Sequence, residues 1–197
     1  LVKKNKMIYI VDDFLDKKLL NKLNKSFLFN FEEIVRPGCT IYAKRPPEEF
    51  IKYMESKISI LEGKTIESCL CGFRYSDEKK DTHWRIHADL YVDHTQHCAP
   101  ERAGVLYMNN SPKELTGTAF WEYKKTKKDS INLKDINAHN EALNYAEDLS
   151  KWDLKTVVGH KKNRFVSYPC SNYHSKYPNI TIDPRIVCVI FYKFKNV

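Results

Sequence analysis

Six short runs of β-branched and aromatic residues recur along this chain, each bounded by Gly, Pro, Asn or Ser: "CGFRYS" (71–76), "WRIHADLYV" (84–92), "AGVLYMN" (103–109), "GTAFWEY" (117–123), "NRFVSYP" (163–169) and "RIVCVIFYKF" (185–194). Runs of this kind form strands, and strands so spaced must share a buried face with one another. Ahead of them, "MIYIVDDFL" reads as a further strand, and "DKKLLNKLNKSFLF" carries leucines at helical spacing. "PPEEFIKYMESKISIL" reads as a second helix with prolines at its entrance. One long polar stretch, residues 126–156, interrupts the strands and contains "NEALNYAEDLSKW", a helical insertion. Short strands with helices gathered at one end indicate an α+β, mainly β protein whose sheet curls into a sandwich or barrel.

At 197 residues the chain suits one domain, 1–197, with a substantial core. Hydrophobic residues at 42% and aromatics at 13% exclude disordered and low-complexity classes. The longest apolar run, "IVCVIFY", is far short of the ~20 residues of a membrane-spanning helix, so no membrane partner is expected and the cytoplasm is the expected location. A domain of this size needs no staples, and its six cysteines are read as reduced thiols. The net charge of +8 comes from scattered lysines, the look of a solvated surface; a nucleic-acid partner is possible but not favoured.

The chemistry concentrates in "THWRIHADLYVDH" (82–94), which holds three of the chain's seven histidines. In a strand, Ile86, Ala88, Leu90 and Val92 would line one face, and His87, Asp89 and Tyr91 the other. An imidazole and a carboxylate two residues apart then project in parallel and can reach one cation. A third ligand is needed, and His174 in "YPCSNYHS", at the end of a later strand, is the best candidate. Two histidines and one carboxylate form a facial set that leaves positions open on Fe(II) for substrate and oxygen. Arg185 shares a face with Val187 and Val189, and a buried guanidinium there wants an anion, which a dicarboxylate cosubstrate would supply.

The ordered set His87-x-Asp89, His174, Arg185, together with "YIVDDFL", "FRYS", "VLYMNN", "GTAFWEY" and "NRFVSYPCSNYHS", resembles the 2-oxoglutarate and Fe(II)-dependent dioxygenases, in particular their prolyl 4-hydroxylase-like branch. The resemblance covers nearly the whole chain. It implies a double-stranded β-helix, a jelly-roll of cupin-like kind, with N-terminal buttressing helices. It further implies Fe(II) on His87, Asp89 and His174, and 2-oxoglutarate with its distal carboxylate on Arg185. Tyr107 would hydrogen-bond that carboxylate, and Tyr75 would line the cosubstrate pocket near the metal. The implied reaction consumes 2-oxoglutarate and O2, releases succinate and CO2, and hydroxylates a substrate that the residues leave unidentified: a peptidyl proline, an amino acid or another small metabolite.

Other readings compete. His87 and Asp89 could be a metal-free core pair, but His174 and Arg185 then go unexplained. A cupin-like metalloenzyme would bind metal and ignore 2-oxoglutarate; a non-catalytic basic β-sandwich would bind neither. His83 needs no ligand role. His94, His97 and Cys98 with Cys69 and Cys71 lack the paired C-x-x-C spacing of a zinc site. His139 and His160 are expected to be solvated, Arg164 to form a structural salt bridge, and Trp84, Trp121 and Trp152 to be core or rim aromatics. The loop 93–103 and the insertion 126–156 are expected to border the site entrance.

Overall fold

A computed structural model describes residues 7–26, 30–36, 39–89, 99–110, 115–131, 136–179 and 183–195. In chain order the elements are β1 (Tyr9–Val11), α1 (Lys17–Ser26), β2 (Glu32–Arg36), β3 (Cys39–Lys44), α2 (Glu48–Glu62), β4 (Ile66–Ser76), β5 (Arg102–Tyr107), β6 (Gly117–Tyr123), α3 (Ile136–Leu143), β7 (Trp152–Gly159), β8 (Phe165–Pro169), β9 (His174–Tyr177) and β10 (Arg185–Phe194). The strands form a seven-stranded sheet, β1-β8-β5-β10-β4-β3-β2, and a three-stranded sheet, β7-β6-β9. All pairings are antiparallel.

The period of two along β10 sorts its side chains between two cores. Ile186, Cys188, Ile190 and Tyr192 face the helices and pack with Leu15, Leu23, Phe50, Met54 and Ile58. Phe50, Met54 and Ile58 lie four apart on α2, so they form the single stripe that seats this helix on the sheet. Gly63 ends the helix in the left-handed region, φ 67°, where a side chain would be strained. Val187, with Val189 and Phe191 packed beside it, faces the other way and joins Val105, Tyr107, Phe120, Val158, Val166 and Tyr168 between the two sheets. The outer face of the small sheet is covered in turn: Ala119, Trp121, Tyr123 and Trp152 pack with Ile86, Tyr173 and Ala142 of the insertion. Strands β5, β8 and β10 of the large sheet and β6 and β7 of the small one therefore share this inner core.

One charge cluster is buried for structure. Arg102 and Glu62 approach to 2.8 Å at 2% and 5% side-chain exposure, and Tyr192 donates to Glu62 at 2.6 Å. The pair ties the end of α2 to β5 and β10.

Several expectations are revised. "WRIHADLYV" is not a regular strand: residues 82–86 run without a ladder, His87 makes an isolated bridge to His174, and Leu90, Tyr91 and Val92 lie outside the described residues. The β2–β3 hairpin, β7 and β9 are additional strands, and His174 opens β9 where it was expected to end the preceding strand. The six cysteines are not all reduced, because Cys69 is disulfide-bonded. Cys39, Cys71, Cys170 and Cys188 are free thiols, while Cys98 is outside the described residues. Among the described residues no helix is long and apolar enough to cross a membrane.

Candidate metal centre

His87 and His174 exchange both backbone hydrogen bonds, His87 N to His174 O at 2.9 Å and His174 N to His87 O at 2.8 Å. Directly opposed residues of such a pair project from the same face, so the two imidazoles stand side by side with ring centroids 4.4 Å apart. Two residues on, the Asp89 amide donates to the Cys170 carbonyl at 2.8 Å and holds the carboxylate on that same face. Ile86 and Ala88 point to the opposite side, where Ile86 is fully buried behind the small sheet. The alternation read from the sequence is therefore present without a ladder to impose it.

Each imidazole has one nitrogen committed. His87 Nδ1 is 3.0 Å from the Arg85 carbonyl and His174 Nδ1 is 3.0 Å from the Asn172 carbonyl, so each Nδ1–H donates and each Nε2 keeps its lone pair. The two Nε2 atoms lie 3.6 Å and 3.1 Å from the Asp89 oxygens, and one ligand atom from each residue falls within 4.8 Å of the others. Asp89 Oδ2 is buried without a well-aligned hydrogen bond. Burial, reinforced by His174, pushes the His87 imidazole down to about 4, which leaves it neutral at pH 7. Burial alone would raise Asp89, but the charge and hydrogen bond of His174 outweigh it and hold the carboxyl below its ordinary range. Without an ion, the Asp89 carboxylate in turn raises His174 against its burial; two imidazole nitrogens and a carboxylate oxygen converging on one point are the donor set of a divalent transition metal.

The cleft beside this triad is lined by cations. Arg185 starts β10 on the inner face; its guanidinium carbon is 5.6 Å from the Tyr107 ring centre, its Nε has no acceptor, and no carboxylate of the described residues lies within 4 Å. Tyr107, on β5 opposite Val187, shares a hydrogen bond of 2.8 Å with Thr118 of β6. Burial pushes the Tyr107 hydroxyl up, against the opposing charge of Arg185. His160 stacks on Tyr107 with centroids 4.6 Å apart and contacts the Asn109 carbonyl at 3.0 Å. It is 7% exposed, so His160 is a buttress and not a solvated residue. His139 is likewise buried, 3.3 Å from the Tyr173 hydroxyl.

Tyr75 is not brought to the site. It pairs with Ile186 and faces the helices, where its hydroxyl donates to Asp77 at 2.7 Å. Its neighbour Arg74 pairs with Val187, so Arg74 occupies the cleft side, with both Asp81 oxygens on its guanidinium. Lys176, two residues beyond His174 and opposite Thr118, also faces inward and was not singled out by sequence; only its spacing from the distal histidine marks it. Arg164 is tied to Asp12 at 2.6 and 3.1 Å, the structural salt bridge expected of it.

His83 stays outside the triad. With Arg85, Leu143, Asn144, Ala146, Glu147 and Asp148 it lines a depression of about 420 Å³. The insertion is bonded to the residue before His87, the Ala146 carbonyl accepting from the Ile86 amide at 2.8 Å. Trp121 and Trp152 are core aromatics, and Trp84 packs at their edge. His94, His97 and Cys98 of the loop 93–103 lie outside the described residues.

No protein-family model matches the sequence, and no curated protein sequence matches it. Solved structures match by shape. The alpha-ketoglutarate-dependent carbocyclase SnoK from nogalamycin biosynthesis is 11% identical with a TM-score of 0.60, over 96% of this chain and 80% of that one. HygX from Streptomyces hygroscopicus, solved with nickel, 2-oxoglutarate and hygromycin B bound, is 9% identical with a TM-score of 0.59, over 97% and 84%. A Pseudomonas putida prolyl-4-hydroxylase is 11% identical with a TM-score of 0.57, over 97% and 94%. The shared architecture is the double-stranded β-helix, the fold expected from the sequence.

Proposed function

We propose that this protein is a 2-oxoglutarate- and Fe(II)-dependent oxygenase, its chain acting as one catalytic domain that hydroxylates a small molecule or peptide. The observation that carries the reading is the pairing, in one cleft, of a His-Asp-His donor set with a buried arginine that has no carboxylate within 4 Å among the described residues. A metal-free core pair would need only His87 and Asp89; here His174 brings a third donor atom, so that one ligand atom from each residue lies within 4.8 Å of the others. In this fold, neighbours solved with 2-oxoglutarate and a metal support the same assignment.

His87, Asp89 and His174 would hold Fe(II). When bound there with 2-oxoglutarate and O2, the iron supplies the oxidising chemistry, by which 2-oxoglutarate becomes succinate and CO2 and one oxygen atom enters the substrate as hydroxyl. The protein's own residues bind and orient. Arg185 receives the distal carboxylate with its planar fork of donors. Tyr107 is held beside it by Thr118 and by the stacked His160, so the carboxylate meets donors already in place. Phe120 and Tyr168 pack against His174 and keep water from its inner side. The depression bordered by His83, Arg85 and Glu147 is the candidate seat of the substrate.

The test is anaerobic reconstitution with Fe(II), followed by O2-dependent succinate release from 2-oxoglutarate across peptidyl proline, free amino acids and small metabolites. Stoichiometric iron with succinate release supports the reading. Iron without any binding of 2-oxoglutarate would move it to a metalloenzyme of cupin type, and absence of iron binding to a non-catalytic domain.

A further inference from the structure

One feature of the cleft exceeds what a single arginine anchor requires. His174 and Lys176 share the inner face of β9, opposite Phe120 and Thr118 of β6. From Thr118 a hydrogen bond leads to Tyr107, whose ring lies under Arg185. Lys176 and Arg185 thus stand on facing walls, on β9 of the small sheet and β10 of the large one. The Lys176 ammonium donates to the Asp81 backbone carbonyl at 2.5 Å, and among the described residues no carboxylate is within 4 Å. The nearby Asp81 carboxylate is already engaged at both oxygens by Arg74.

The inner wall therefore carries three cations, Arg74, Lys176 and Arg185, against the single acid Asp81, with Asp89 reserved for the metal. Like charges facing across a shielded cleft repel, and a protein that puts them there leaves a place for an anion. We infer that Lys176 and Arg185 form one two-walled anion site, which clamps the distal carboxylate of 2-oxoglutarate between the sheets. The inference rests on the oxygenase reading and adds to it a second cation that sets the preference for a dicarboxylate. Arg185 offers the planar fork, while Lys176 offers a compact charge from the other side. Closing the clamp joins the two sheets next to His174, so cosubstrate binding also braces one metal ligand.

The experiment is calorimetric titration into protein loaded with Mn(II) under nitrogen, which reads binding without turnover. The probes are 2-oxoglutarate and 2-oxovalerate, a 2-oxo acid of the same length that lacks the distal carboxylate. Lys176→Met should bind 2-oxoglutarate about tenfold to a hundredfold more weakly than the parent. It should bind Mn(II) and 2-oxovalerate as the parent does, and Lys176→Arg should recover most of the loss. Equal 2-oxoglutarate affinity in Lys176→Met and parent would overturn the clamp and leave the oxygenase reading standing. An equal loss for 2-oxovalerate would also overturn it, since Lys176 would then act on the whole site and not on the carboxylate. A parent that binds no 2-oxoglutarate would bring down the oxygenase reading and the clamp with it.

Discussion

Arg185→Met should stabilise the ligand-free protein while it abolishes cosubstrate binding. The guanidinium is 8% exposed, its Nε lacks an acceptor, and among the described residues no carboxylate is within 4 Å. An uncompensated buried cation costs several kcal/mol even after relaxation. Its position 5.6 Å from the Tyr107 ring returns about 1–2 kcal/mol of that. The net burden is then about 2 kcal/mol, and methionine, unbranched and apolar, can fill the vacated channel without polar cost. For a chain of 197 residues each kcal/mol moves Tm by about 2–4 °C, so the variant should melt about 4–8 °C higher. Saturating 2-oxoglutarate reverses the order: at a hundred times Kd a ligand adds about 2.7 kcal/mol to the parent and nothing to a variant that does not bind it. The assay is a pair of thermal melts at matched metal content, with and without 2-oxoglutarate, backed by a titration in which the variant shows no binding at a hundred times the parent's Kd. A variant that melts at or below the parent without ligand would refute the argument that Arg185 stores destabilisation for binding. Parent-like affinity would place the anchor elsewhere.

His87→Ala, Asp89→Ala and His174→Ala should each lower metal content from one equivalent toward none while far-UV circular dichroism stays that of the parent; normal iron in all three would overturn the ligand set. Asp12 is bonded to Arg164 and Lys161, which hold its carboxyl well below the usual range. A depressed folded value stabilises above the unfolded pKa of about 3.9 and is lost as pH falls toward the folded one. Because the Asp12 side chain is 36% exposed, solvent screening limits the effect to about 1 kcal/mol or less. Asp12→Asn should therefore lower the urea midpoint at pH 7, with a gap from the parent that begins to narrow only as pH falls below about 3.9; a gap of the same size throughout that acid range would count against the pairing. Gly117→Ala would set a Cβ 2.1 Å from the Val158 carbonyl oxygen, and backbone there can yield only by parting β6 from β7. It should cost more than the ~1–3 kcal/mol of ordinary overpacking, measured by denaturant unfolding; a parent-like midpoint would show that the sheet gives way cheaply.

How much of this was legible in the sequence depended on which residues carry their own signal. β10, α2 and β6 were readable because burial follows their own period: Phe50, Met54 and Ile58 lie four apart, and Ile186, Cys188 and Ile190 lie two apart. β7 was hidden because the side chains of Leu154, Lys155 and Thr156 are exposed, so its membership of the sheet rests on backbone pairing to β6. β2 fails for the same reason, with Val35 at 76% exposure, though "RPGC" between two β-branched runs was a turn signal that could have revealed the hairpin. The ligand triad and Arg185 were found as residue types in order. The facing of β4 was not, because a one-residue choice of parity decides whether Tyr75 or Arg74 enters the cleft, and only the pairing with β10 fixes it. Lys176 was passed over as one lysine among many, since charge shows its meaning only when its neighbours are known.

The metal centre depends on register more than on local structure. His87 has no strand to hold it, yet its two backbone bonds to His174 set the rings side by side, and the Asp89 amide bond to Cys170 repeats the constraint one step along. β9 is fixed in turn by β6, where Phe120 opposes His174 and Thr118 opposes Lys176. A slip of one residue between β6 and β9 would turn both His174 and Lys176 to the outer face, among Trp121 and Trp152, and bring Ser175 into the cleft. The large aromatic residues on that outer face make such a slip expensive, because they fill it and leave no room for an imidazole and an ammonium. Packing on the outer side of the small sheet thus determines which side chains are brought together on the inner face at the candidate metal centre.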